Sequence, residues 1–296
     1  MSGQLKEVRE RIKSVKSTQQ ITKAMKMVSA AKLRKAQQAI VQMRPYADKL
    51  NAMLKNILSN LEGDAATSFG TEREARKVLI AVVTSNRGLC GAFNSNIIKS
   101  AVQTINTRYA EQRKAGNLSL LFIGKRGYDY FRKRYQDCTI IDDYVSLFDN
   151  LSSDNVNQVS RRIMDAFASE EYDVVEVSYG RFKNAAMQYA ETERFLPVAK
   201  MEKEENSARA DYIFEPGKEE LLEYLVPSIL QTQFFKYNLD THASEHGARM
   251  TAMSKATDNA EDLMRDLKIS YNKARQEAIT KELSEIVGGA AALESS

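Results

Sequence analysis

The chain has 296 residues, 43% of them hydrophobic and 28% charged, a balance that excludes an intrinsically disordered protein. No apolar run approaches the ~18 residues of a membrane-spanning helix. The net charge of +4 conceals an asymmetry: residues 1–40 carry ten Lys and Arg against Glu7 and Glu10, so this stretch alone holds +8 and the remainder −4. A basic segment on a near-neutral body calls for an acidic partner.

The N-terminal sequence MSGQLKEVRERIKSVK has no apolar h-region and does not read as a secretory signal. Its two acidic residues and its continuity with a helix also argue against a transit peptide. Helical spacing runs from about Gln4 to Leu61, a length of ~85 Å at 1.5 Å per residue, and a helix so long needs a partner. Leu5, Val8, Ile12 and Val15 open on alternating steps of three and four. The pattern is expected to break over residues 16–32 and to resume in a new phase at Leu33, as a phase slip does in a coiled coil. From there Leu33, Ala36, Ile40, Met43, Ala47, Leu50, Leu54, Ile57 and Leu61 form a coiled-coil seam. Pro45 is expected to kink it, and residues 63–70 read as a linker.

The middle alternates strand and helix. Strands are expected at 78–84, 118–123, 139–145, 172–179 and 188–198, and helices at 92–114, 127–135 and 155–170, the last capped by Ser153 or Asp154. The run VLIAVVT is continuously apolar, the sign of a strand buried on both faces. Alternation of this kind predicts a mostly parallel sheet, an incomplete doubly wound domain. Residues 202–211 read as a polar loop and Pro216-Gly217 as a break. A last helix is expected from Lys218 to about Val287, closed by Gly288-Gly289. Its seam is Met253, Ala256, Ala260, Leu263, Leu267 and Ala274.

The fold class expected is therefore α/β, with a long antiparallel coiled coil of the two terminal helices and a Rossmann-like domain between them. The boundaries are 1–62 for the first helix, 75–200 for the α/β domain and 212–288 for the last helix.

Chemistry is sparse. Gly88 and Gly91 follow the first strand, where doubly wound folds cradle phosphates. The chain has neither GxGxxG nor GxxxxGK[ST], so a tight strand-to-helix turn is the better reading. His242-Ala-Ser-Glu245-His246 matches the H-x-x-E-H pattern of inverted zinc peptidases, with both histidines at i and i+4. A catalytic zinc needs a third ligand and a walled cleft, and small residues around the motif suit helix packing instead. Cys90 and Cys138 stand alone, outside any metal spacing, and fit a reducing compartment. No catalytic, cofactor or metal site is assigned, and the chain is not read as an enzyme.

Several stretches, in order, resemble one family. They are Ile21 to Lys35 (ITKAMKMVSAAKLRK) with Arg44-Pro45-Tyr46; Arg87-Gly-Leu-Cys-Gly91 with Asn94; Ala248-Arg-Met-Thr-Ala-Met253; Ala256-Thr-Asp-Asn259; and Tyr271-Asn-Lys-Ala-Arg-Gln276 with Ile279-Thr280. Over almost its full length the chain resembles the gamma subunits of F-type ATP synthases. The resemblance implies a central-stalk rotor that couples proton flow through a membrane c-ring to ATP synthesis on beta subunits. The implied partners are an alpha3-beta3 ring, epsilon, the c-ring and delta, with one copy of the chain per complex and no cofactor or nucleic acid. It further implies that Met25 and Lys26 meet an acidic helix-turn-helix of beta, and that Arg275, Gln276, Thr280 and Glu285 engage the beta ring. The implied location is the cytoplasmic face of a bacterial inner membrane, peripheral and through the complex only. Without the resemblance, the competing reading is a basic coiled-coil arm that binds nucleic acid.

Overall fold

A computed structural model describes residues 2–59, 69–198 and 218–294. Helix α1 spans Ser2–Ser59 and helix α6 spans Lys218–Glu294. Between them lie β1 (Val78–Val83), α2 (Phe93–Arg108), α3 (Ala110–Lys114), β2 (Leu118–Ile123), α4 (Lys125–Arg134), β3 (Thr139–Ile141), a 3-10 turn (Leu147–Asn150), α5 (Ser153–Ala168), β4 (Val174–Phe182) and β5 (Gln188–Leu196). The described residues form two compact units, one of Met1–Ser29 with Met250–Ser296 and one of Ala30–Arg249. Both divisions fall inside helices, one in α1 and one in α6.

In the second unit the sheet order is β3-β2-β1-β4-β5, with parallel pairs except for the antiparallel β4–β5 hairpin. All six residues of β1 and all six of β2 are buried, as the unbroken apolar run of β1 requires, while β2 is apolar but for Ser119. One core lies on each face. Ile97, Ala101, Ile105 and Phe131 of α2 and α4 cover Val78, Ile80 and Val82. Val156, Val159, Ile163 and Phe167 of α5, with Leu222, Leu225, Phe234 and Tyr237 of α6, cover Leu79, Ala81 and Val83. The N-cap of α5 is Ser152, whose side chain accepts from the Asn155 N–H. The apparently apolar β4 carries Glu176, fully buried, which is held by the Tyr109 hydroxyl at 2.6 Å and by Arg108 at 3.1 Å.

In the first unit α1 and α6 pair antiparallel. Arg9 donates to the Tyr271 hydroxyl (3.2 Å), Thr22 meets Thr257 (2.8 Å) and Lys26 donates to Ser254 (3.0 Å), so partners fall in number on one helix as they rise on the other.

Three expectations need correction. The seam of α1 does not change phase over residues 16–32: Gln19, Thr22 and Ser29 turn inward on the same three-four steps that join Val15 to Leu33. What breaks there is apolar character, because hydroxyl and amide groups take the inward positions. On α6, Leu263 is 49% exposed, and the inward positions run through Met253, Thr257, Ala260, Met264, Leu267 and Tyr271. Reading only apolar residues put alternate rungs one residue early. Helix α6 also continues through Gly288 to Glu294, since Gly288 keeps a right-handed backbone and no left-handed cap forms. Pro45 and Pro227 lie inside α1 and α6. The linker at 63–68, Leu61 and the breaks at 202–217 lie outside the described residues.

Candidate functional site

The strand order reverses between β1 and β4, which places the potential ligand crevice of this sheet at the carboxyl ends of those two strands. Here it is occupied by the protein itself. Thr241 of α6 accepts from the Gly180 N–H at 3.2 Å, and Ser244 donates to the Gly180 carbonyl at 3.0 Å. Gly180 is needed for the approach of α2 from the other side, because a Cβ there would lie 2.6 Å from the Phe93 ring. The turn after β1 is closed in the same way. Ser85, Asn94 and Cys90 form a hydrogen-bonded knot, with Ser85 N–H on Asn94 Oδ1 (3.0 Å) and Asn94 Nδ2 on Cys90 Sγ (3.2 Å). Leu89 and Gly91 both take positive φ, 62° and 60°.

The guanidinium of Arg249, 7% exposed, then donates to the carbonyls of Arg87 (3.0 Å) and Gly88 (3.1 Å) and pairs with Glu245 at 2.7 Å. A phosphate loop offers N–H groups to an anion; this turn instead presents carbonyls to a cation of its own chain. Burial raises the Cys90 thiol, which keeps it protonated and unreactive.

The two histidines are placed one turn apart, with Nε2 atoms 3.2 Å from each other. Arg249 Nη1 lies 3.3 Å from His246 Nδ1, and a guanidinium only donates, so that nitrogen is the acceptor. His246 therefore carries its proton on Nε2 and donates to His242, whose proton sits on Nδ1. Burial, with Lys32, Lys35 and Arg249 nearby, lowers His242 to about 4, and burial lowers His246 to about 3, so both rings are neutral at pH 7. His242 stacks on Phe148, centroids 5.8 Å apart. Glu245 is engaged by Arg249 and is no free base. Among the described residues no group of three His, Cys, Asp or Glu could hold a metal. The H-x-x-E-H stretch is thus a packing motif at the joint of α6 with the domain.

The residues expected to contact a beta ring lie in the first unit. Met25 is half-buried and Lys26 exposed, while Arg275, Gln276, Thr280 and Glu285 are all exposed. Lys281 lies 3.7 Å from Glu285, and Ser284 donates to the Thr280 carbonyl. Of the seam residues, Leu33 (5%), Leu50 (7%) and Met253 (6%) are buried, and Ile40 and Leu267 are half-buried. The side chains of Leu54 and Ile57 lie outside the described residues.

One feature escaped sequence reasoning. Seven residues take Arg9 back to Ser2 and Tyr271 forward to Ala278, so the described part of α1 reaches about Ala278 and α6 runs past it. On that extension Ile279, Leu283, Ile286 and Val287 are 45–66% exposed. Their spacing of four, three and one is an apolar helical stripe, and that signal was present in the sequence.

A closed crevice, a helix locked into it and a long helical pair ending in an exposed apolar stripe define a mechanical subunit that acts through contacts with other chains. The comparisons with known proteins make this specific. The family described as ATP synthase matches residues 4–293. The chain is 51% identical over 292 residues to the ATP synthase gamma chain of Cytophaga hutchinsonii, covering 98% of each. It is 52% identical over 289 residues to that of Flavobacterium psychrophilum, again covering 98% of each. Among solved structures, a chain of the Euglena gracilis mitochondrial ATP synthase OSCP/F1/c-ring assembly matches with a TM-score of 0.67 at 23% identity, covering all of this chain and 96% of that one. The rotor of the same organism's enzyme matches with a TM-score of 0.60 at 22% identity, over 94% of this chain and all of that one, and both establish a shared fold. The chain belongs to the gamma-subunit family of the F-type ATP synthases.

Proposed function

We propose that the chain is the central-stalk rotor of an F-type ATP synthase, coupling proton flow through a c-ring to ATP synthesis by rotation. The observation that carries this is full-length identity of about half to ATP synthase gamma chains, joined to an antiparallel α1–α6 pair. Residues 1–62 and 212–288 form the shaft, which stands in a ring of three alpha and three beta subunits. Residues 75–200 form the part that meets epsilon and the c-ring, with delta elsewhere in the complex. Catalysis takes place on beta, and this subunit supplies no catalytic group.

Its action is differential contact. A ligand or partner shifts a conformational equilibrium only as far as it binds the two states unequally. An asymmetric helical pair offers each of three identical beta subunits a different surface, so rotation moves each through the sequence of states. Lys26, with the basic surplus around it, meets acidic side chains of beta beside Met25. Arg275, Gln276, Thr280 and Glu285 meet the beta ring, and the stripe Ile279–Val287 turns within its inner wall. No described helix is long and apolar enough to cross a membrane. The subunit is held at the membrane through the complex, on the cytoplasmic face of a bacterial inner membrane.

Native mass spectrometry of the assembly tests this, with a tag in a loop of the α/β domain and the complex isolated from source membranes. The expected mass is that of three alpha, three beta and one copy of this chain. A lone chain retained on DNA with a steep salt dependence would favour the basic-arm alternative instead.

A further inference from the structure

The second unit holds a cavity of about 730 Å³ bounded by α1, the end of β4 and α6. That volume lies within the range of small-molecule sites, roughly 300–1,000 Å³. Its charged lining is four cations, Arg44, Arg181, Lys183 and Lys236, against two carboxylates, Asp48 and Asp240. Arg181 is fixed through Nε by Glu191 at 2.7 Å, and the other three cations make no ion pair among the described residues. Asp240 is the exceptional member. It is 6% exposed and lines the cavity, and although Lys236, Arg181 and Arg44 lie near enough to favour its charge, no hydrogen bond or ion pair reaches it among the described residues. A buried carboxylate without donors carries a desolvation cost that a bound donor would relieve. The site thus lacks two things at once, negative charge among its cations and a donor at its wall.

We propose that this cavity binds a phosphorylated small molecule with free hydroxyls, of the sugar- or nucleoside-phosphate class. Arg44, Lys183 and Lys236 take the phosphate, and the Asp240 carboxylate accepts from a hydroxyl. The inference stands apart from the rotor reading, since it uses only this chain's own cavity. Burial raises Asp240 to about 6, against Lys236, Arg181 and Arg44, which favour its charge, and Glu193, which opposes it. Asp48 on α1 and Lys183 after β4 also face the cavity. The group is therefore largely ionised, and an acceptor, above pH 7.

Calorimetric titration of the full chain at pH 7.5 with ADP, and separately with inorganic phosphate, tests the site. ADP should bind saturably at one site, and phosphate should compete with it. Asp240→Asn should weaken ADP about ten-fold while leaving phosphate nearly unchanged, and the pair Arg44→Gln/Lys236→Gln should weaken both about ten-fold. Hydrogen exchange on the unaltered chain should show ADP-dependent protection of residues 37–51 and 229–240, a readout independent of how the variants fold. No saturable ADP binding up to about 5 mM, protection elsewhere only, or variants that bind like the parent would each overturn the proposal.

Discussion

At the residue scale, the joint between α6 and the sheet is an arrangement of neutral histidines and a paired arginine, and its pH response follows. Both histidines have folded values, about 4 and about 3, below the ordinary 6.5. The unfolded chain therefore binds protons first as pH falls. Stability from this pair is intact above about pH 6.5 and declines between there and about pH 4, by up to about 1.4 kcal/mol per pH unit for each ring. Asp240 works in the opposite direction: raised to about 6, it gains stability as pH falls from about 6 towards its unfolded value. Glu245, also raised by burial, acts with Asp240, so the fall is that of two rings set against two carboxyls. Denaturant titrations at pH 7, 6 and 5 should show falling stability, with a shallower fall in His242→Asn. An identical slope in that variant would mean the imidazole contact does not govern the response.

At the element scale, the pairing of α1 with α6 in the first unit is carried by polar groups at several inward positions. Thr22 and Thr257 are 2.8 Å apart through their hydroxyls, and Thr22 is 8% exposed. Hydrogen bonds of this kind contribute only about 1 kcal/mol each, but an inward hydroxyl penalises any slid register that leaves it unpaired. Cysteines at 22 and 257 should form a disulfide rapidly under mild oxidant, while cysteines at 22 and 263 should not, since Leu263 faces outward. The check is mobility on a non-reducing gel, where native Cys90 and Cys138 are both buried. Equal cross-linking of the two pairs would show that the register is not fixed.

At the scale of the whole molecule, the exposed stripe is a property that only a larger assembly accounts for. Ile279, Leu283, Ile286 and Val287 stand beyond the reach of α1, and Ile21, Met27 and Val28 are also 57–62% exposed. Apolar side chains aligned on a helix face seek cover. The isolated chain should therefore aggregate, and Leu283→Ser/Ile286→Ser should reduce light scattering at equal concentration. The same pair should lower ATP-driven proton pumping in the reconstituted complex. Unchanged scattering would show that the stripe is not what drives association.

The amino-acid sequence by itself determined the elements and their class. The unbroken run of β1 and the nearly apolar run of β2 pointed to buried strands, the ladder from Leu33 to Leu50 pointed to a helix face, and the order of motifs pointed to one family. Periodicity and local propensity are written in neighbouring residues, so they are legible without a fold. Tertiary structure decided what depends on distant partners. It carried the α1 seam through Gln19, Thr22 and Ser29, of which Thr22 meets the Thr257 hydroxyl of another helix. It moved the α6 seam off Leu263, which is 49% exposed, to Met264. It turned the Gly88 turn and the H-x-x-E-H stretch into a closed joint, because Arg249 reaches carbonyls more than 160 positions away in the chain. It also left Asp240 buried at a cavity wall near three cations but without a hydrogen bond, a circumstance that no local pattern encodes.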